Sequence, residues 1–178
     1  MTGNNKVKLR TWREDDLSRL AELANNFNIA KFMTDQFPFP YTRLNARAFI
    51  EFANSHHPVH IFAIEENGQC VGSIGLHPQH DIMRRNAELG YWLGEPYWGR
   101  GIATEAIRQM VQYGFDNFNI GRIFARPFGT NIASQKVLEK AGFTLEARFE
   151  KTILKNGELL DELIYSVRRQ ADGNNNKT

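Results

Sequence analysis

The run Trp98-Gly99-Arg100-Gly101-Ile102-Ala103-Thr104-Glu105-Ala106 is the first place where this sequence could do chemistry. Two glycines turn the chain between a strand-like segment and a long helical one. Lacking a Cβ, a glycine lets backbone N–H groups approach an anion closely. The first turn of a helix adds N–H groups without intrahelical partners and a partial positive charge. Together they suit a phosphate or pyrophosphate. The same residues also suit a tight strand-to-helix turn that binds nothing. Two phosphate loops are excluded. There is no G-x-x-x-x-G-K-[ST], and Gly99-x-Gly101-x-x-Thr104 lacks the third small residue of a dinucleotide fingerprint.

Other reactive residue types form no comparable pattern. His56, His57 and His60 cluster about Pro58, and His77 and His80 follow later, with no carboxylate or cysteine at zinc-ligand spacing. They read as surface or packing histidines. Cys70, between Gln69 and Val71, reads as a small buried residue. No Ser-His-Asp or Cys-His arrangement has a local signature.

The elements that must position the loop follow from periodicity. Residues 6–12 alternate (Val7, Leu9, then Trp12) as a first strand. Asp15 and Asp16 stand where they would cap a helix carrying Leu17, Leu20, Leu23 and Ala24. A short helix over 27–34 ends at Phe37-Pro38-Phe39-Pro40, and Thr42 caps a third helix whose face holds Ala46, Phe49, Ile50 and Ala53. Strands at 59–65 and 69–76 join across Asn67-Gly68, a hairpin signal. A strand at 87–93 precedes the glycine loop. Residues 102–118 form the clearest helix, with Ile102, Ala106, Met110, Gly114 and Phe118 stepping by four. A strand at 121–127 follows, then a helix at 131–141 stopped by Gly142. Strands at 143–154 and 158–168 join across Asn156-Gly157. The order predicts an α/β (α+β) fold. It is a mixed, mainly antiparallel, twisted sheet of about seven strands flanked by helices, with one parallel strand–helix–strand crossover over 87–127.

The 178 residues read as a single domain, with an ordered core over about 6–169 and frayed polar tails at 1–5 and 171–178. Twenty-two basic and twenty acidic side chains leave a net charge of +2, too little to argue for nucleic acid or an anionic membrane. No apolar run is long enough to span a membrane and no signal-peptide core follows Met1. A single cysteine fits a reducing compartment, so the expected location is cytoplasmic.

Three segments in order carry a family likeness: Glu88-Leu89-Gly90-Tyr91-Trp92-Leu93, then Tyr97-Trp98-Gly99-Arg100-Gly101-Ile102-Ala103-Thr104-Glu105-Ala106, then Asn131-Ile132-Ala133-Ser134 running to Val137-Leu138-Glu139-Lys140-Ala141-Gly142-Phe143. The chain resembles the GNAT acetyltransferase superfamily over residues 6–169, and within it the ribosomal-protein-alanine N-acetyltransferase (RimJ/RimL-like) branch. The resemblance implies acetyl-CoA as cosubstrate, bound on the crossover, and no metal. It places the pyrophosphate on Gly99, Arg100, Gly101, Ala103 and Thr104. The superfamily's loop core is [QR]-x-x-G-x-[GA]. Gly101 and Ala103 fit it, whereas Trp98 occupies the Gln/Arg position, which leaves the work to backbone donors.

Acetyl transfer from a thioester needs a neutral amine held in line, a stabilised oxyanion and a proton for the departing thiolate. Glu88 is the candidate base. In a partly apolar cleft its pKa would rise toward working pH, and its alternative role is pairing with an arginine. The resemblance gives backbone N–H groups near Tyr91 and Leu93 to the acetyl-pantetheine. Asn131 would bond the pantetheine arm and Ser134 would reach the sulfur, although both also suit plain helix capping. Many relatives carry a tyrosine acid where this chain has Leu138. The Phe37–Tyr41 loop reads as a lip over an acceptor channel or a hydrophobic plug. Asp161, Glu162 and Glu158 read as bait for a cationic acceptor or as edge-strand solubility charges. The expected partner is an amine: a peptide or protein N-terminus, or a small amine such as a polyamine or aminoglycoside. A non-catalytic acyl-CoA-binding protein is the alternative of a different class. A monomer or homodimer is expected.

Overall fold

Seven strands share one sheet in the order β1-β2-β3-β4-β5-β7-β6 in the computed structural model, which describes residues 7–170. The strands are β1 (Val7–Arg10), β2 (Ile61–Glu66), β3 (Gln69–Pro78), β4 (Asn86–Leu93), β5 (Arg122–Ala125), β6 (Thr144–Lys155) and β7 (Glu158–Arg168). The helices are α1 (Leu17–Ala24), α2 (Phe27–Ala30), α3 (Arg43–Asn54), α4 (Ile102–Asn117) and α5 (Ile132–Lys140). The expected tails, 1–5 and 171–178, lie outside the described residues.

Both hairpins form where the turn dipeptides stand. Asn67 and Gly68 have φ of 50° and 81°, and Asn156 and Gly157 have 50° and 80°, left-handed values that Asn and Gly accommodate. Every ladder is antiparallel except β4 with β5, the crossover that α4 makes. That parallel pairing is short. It runs only from Asn86↔Arg122 to Glu88↔Phe124, after which β5 no longer accompanies β4. The fold therefore opens a gap along Leu89–Leu93, at the end of β4 that feeds the glycine loop.

Alternation along β4 divides the core. Leu89 and Leu93 join Ile74, Leu76, Ile107, Met110 and Leu138 beneath α4 and α5, with Tyr91 packed against that cluster. Trp92 joins Leu20, Ala46, Ile50 and Cys70 under α1 and α3. Glu88 and Gly90 share the Trp92 face, as period two requires. The helix α4 lies close on β3 because residue 114 is glycine: a Cβ there would run into Leu76 Cδ1.

Three local expectations are corrected. Asp16 does not cap α1 with its side chain. A 3-10 turn over Glu14–Asp16 precedes the helix, and the Asp16 carboxylate instead accepts from the Arg13 N–H at 2.9 Å and pairs with Arg10 at 2.7 Å. The second correction concerns β7, which is interior, between β5 and β6, so its acids are not edge charges. The expected helix over 27–34 is also shorter, ending at Ala30.

Candidate active site

Where β4 parts from β5, a cavity of about 780 Å³ opens against the start of α4. Glu88, Tyr91, Leu93, Gly99, Arg100, Gly101, Ala103, Thr104, Asn131 and Ser134 all line it. The sequence motifs, more than forty residues apart at their extremes, thus meet in one place.

The loop is shaped by φ values of 73° at Gly99 and 77° at Gly101. Nothing lies within 4 Å of a Cβ built at either, so it is conformation, not crowding, that calls for glycine there. Glu105 is the first residue of α4 to bond back, its N–H to Gly101 O at 3.1 Å. The N–H groups of Ile102, Ala103 and Thr104 precede that bond and carry the positive end of a 16-residue helix. Arg100 holds the loop from the side: its guanidinium bonds the buried Glu66 of β2 at 2.8 Å and lies over the Tyr97 ring. Trp98 is braced likewise, with Nε1 donating to Leu93 O at 2.7 Å. The indole that replaces the polar residue of the loop core thus pins the end of β4.

Along the gap, backbone direction is set by β3. Gly94 N–H bonds Val71 O on the β3 side at 2.8 Å. Alternation turns the N–H groups of Tyr91 and Leu93 the other way, toward the space that β5 leaves. Two donors on one strand edge, in a cleft partly walled from water, can receive an amide or a developing oxyanion.

Glu88 is half-buried, and burial pushes its carboxyl above the usual range, against the opposing pull of Arg126. Arg126 pairs with Glu162 rather than with Glu88. Among the described residues Glu88 makes no ion pair, so the arginine-pairing role is not the one it plays.

The α5 residues are placed by a cap. Asn131 Oδ1 accepts the Ser134 N–H at 3.2 Å. Ser134 is more than a cap residue: its hydroxyl lies 2.6 Å from the Tyr91 hydroxyl. Burial pushes the Tyr91 phenol up to about 12. Leu138, one turn on, is fully buried in the core and offers no polar atom. The chain therefore has a phenol in this cavity, carried by β4 instead of α5. The sequence motif points to Tyr91 only for its backbone. No local signal announces a contact between residues 43 positions apart.

A second cavity, of about 400 Å³, lies on the other face of β4 and shares Met33, Thr34, Gly90, Tyr91 and Trp92 with the first. Phe37, Pro38 and Tyr41 of the Phe37–Tyr41 loop line this cavity, and Tyr41 is buried in the core under α1 and α3. His77 also lines it and stands opposite Glu88 across the β3–β4 ladder. Burial lowers the pKa of His77 and of His60, whose rings meet edge-on at 6.0 Å. Among the described residues no group of three or more His, Cys, Asp or Glu is placed to hold a metal ion, and no helix is long and apolar enough to cross a membrane.

A family model described as "Acetyltransferase (GNAT) domain" matches residues 6–144. The spermidine N(1)-acetyltransferase of Escherichia coli (strain K12) is 26% identical over 165 residues, covering 89% of this chain and 83% of that protein. The microcin self-immunity acetyltransferase MccE, solved with acetyl-CoA and AMP, superposes with a TM-score of 0.80 at 27% identity over 93% of this chain and 94% of its own. RimL, a ribosomal alpha-N-protein acetyltransferase solved with coenzyme A, superposes with a TM-score of 0.82 at 20% identity over 97% and 98% of the two chains, a likeness of fold.

Proposed function

The chain belongs to the GNAT acetyltransferase family and is an N-acetyltransferase, and on that premise we propose that it transfers the acetyl group of acetyl-CoA to the α-amine of a peptide or protein N-terminus. In this reading the pyrophosphate rests on the N–H groups of the glycine loop and the first turn of α4. The open space over Gly99 and Gly101 fits that group. The pantetheine arm runs along the gap beside β4, where the N–H groups of Tyr91 and Leu93 point.

The acetyl transfer is a direct attack. The amine nitrogen forms a bond to the thioester carbon, and the carbonyl oxygen becomes an oxyanion received by a β4 N–H. The C–S bond then breaks. Glu88 takes the amine proton, directly or through a water. Tyr91 and Ser134 offer hydroxyl hydrogens to the departing sulfur. A phenol held near 12 stays protonated at any working pH, so it stabilises the thiolate by hydrogen bonding and Ser134 is the route between them.

The observation that carries this reading is Glu88: a half-buried carboxylate in the cavity wall, with a raised pKa and no ion pair among the described residues. A single carboxylate of moderate basicity suits an easily deprotonated amine. An α-amine with a pKa near 7.7–8.0 is neutral in roughly one molecule of seven at pH 7, and a lysine-like amine near 10.4 in about one of several thousand. A polyamine would want unpaired acids around it. Asp161 and Glu162 are engaged instead, by Arg148 and Arg126. The test uses acetyl-CoA with peptides whose N-terminus is free or blocked, each with one internal lysine, beside spermidine. The free N-terminus should be turned over most efficiently. Faster turnover of the blocked peptide or of spermidine contradicts the α-amine reading.

A further inference from the structure

The lining of the second cavity is aromatic and uncharged. Phe37, Tyr41, Phe49, Phe52 and Trp92 supply aromatic surface, and no Asp, Glu, Lys or Arg lines it. Three of the rings form a preset corner: Phe37 lies 5.2 Å from Tyr41 and 6.2 Å from Trp92, centroid to centroid, the latter edge-on. The titratable groups that do line it are neutral at pH 7. His77 is held below its usual range, and the Tyr41 phenol is pushed up to about 12.

Glu88, on the same face of β4 and opposite His77, is the acid left for the reacting amine itself, whereas Asp35 pairs with Lys155 at 2.8 Å, and Glu162 and Asp161 pair with Arg126 and Arg148. The two cavities meet at β4, where Gly90, Tyr91 and Trp92 line both. An amine at that junction stands beside β4, and whatever is attached to it extends into the aromatic chamber.

We propose that this chamber receives a large apolar, aromatic-sized group carried beside the reacting amine, so that acceptors bearing such a group are preferred over acceptors bearing a second positive charge. The proposal rests on the acetyl transfer proposed above, and adds that the amine reaches the thioester from this face of β4 and what chemistry stands next to it. Two physical terms set the preference. Burial of a ring against Phe37, Tyr41 and Trp92 is favourable in proportion to the apolar area removed from water. An ammonium group in the same chamber would lose hydration with no carboxylate to replace it.

The experiment measures kcat/KM at saturating acetyl-CoA for tripeptides that differ only in a first residue of Phe, Ala or Lys, together with phenethylamine and butane-1,4-diamine. Phe should exceed Ala by about tenfold or more, mainly through KM, with Lys below Ala and phenethylamine above the diamine. A flat series, or a preference for Lys or the diamine, overturns the proposal. If phenethylamine beats the diamine while every peptide fails, the chamber assignment stands and the α-amine reading falls. Should no amine be turned over, calorimetry of the CoA-loaded protein decides: N-acetylphenethylamine should bind more tightly than N-acetylputrescine, and the reverse order overturns the proposal. Ala48→Glu is the control variant. Ala48 is an exposed residue of α3 on the chamber rim, where glutamate keeps the helix. It should narrow the Phe-to-Lys ratio at least several-fold with the melting temperature preserved, and an unchanged ratio in the folded variant also counts against the proposal.

Discussion

Glu88 concentrates the chemistry at the scale of single residues. Its pKa is raised chiefly by burial, so it carries its proton to higher pH than an ordinary carboxyl with its usual value of 4.5. A base works when deprotonated, so the rate should climb with pH through a limb lying above that value. Glu88→Gln keeps the shape and removes the basicity. Its kcat should fall by about 10²–10⁴-fold, the limb should vanish, and acetyl-CoA affinity should hold. A pH–rate series on both proteins checks this, and full turnover with an unaltered profile contradicts it. Tyr91 and Ser134 act as one unit in the account. Tyr91→Phe and Ser134→Ala should each cost about tenfold to a hundredfold in kcat, as for a hydrogen bond to a charged group. The double variant should lose about as much as the worse single one, since both cut the same path, whereas fully multiplicative losses would separate the two hydroxyls. That Glu88 and Ser134 would share one cavity is legible in the sequence because they stand inside ordered motifs. The phenol is not, because its partner lies on another element and only the packing of α5 against β4 brings them together.

At the scale of elements, what was readable is what local rules govern. The two Asn-Gly hairpins, the Thr42 cap and the long helix α4 form where turn chemistry, capping and period four predict them. Elements settled by distant partners were read less well. Asp16 looked like a cap because it precedes an apolar period, yet Arg10 of β1 captures its carboxylate and that of Glu65. The β7 acids looked like edge charges because strand order is not written in local pattern. The Arg10 cluster ties β1, the 3-10 turn and β2 together, with Arg10 only 13% exposed. Burial opposes the charge on Asp16, but Arg10 and the Arg13 N–H together outweigh it and hold its pKa below the ordinary 3.8. The resulting stability is therefore present above that value and drains as pH falls through the lower folded one. Arg10→Met should remove the main partner of two carboxylates and destabilise the fold by about 3 kcal/mol at pH 7. Urea unfolding checks the loss, which should shrink toward acid pH where Asp16 takes up its proton. A loss of a few tenths, constant with pH, would make the cluster a mere surface feature.

For the whole molecule, one sheet parts between β4 and β5 beyond Glu88, and a cavity lies on that gap. In the proposed reading acetyl-CoA enters from the α4 side and the amine from the aromatic side. A ligand that binds only the folded chain stabilises it by mass action, by about 2.7 kcal/mol at a hundred times its Kd, or roughly 5–10 °C in a chain of this size. The central claim is that this stabilisation comes through the glycine loop at the head of α4. Its most direct measurement is a calorimetric titration of acetyl-CoA into the native chain and into Gly101→Asp, with the melting temperature of each taken in parallel. The variant sets a carboxylate where the pyrophosphate is to rest, at a backbone φ of 77° where a side chain adds strain, so the melting temperature checks that the fold survives. The account predicts one site in the native chain and, in a variant that still melts cooperatively, an affinity lower by at least about tenfold, or 1.4 kcal/mol. Unchanged affinity in the folded variant would contradict it, because acetyl-CoA would then be held somewhere other than this loop.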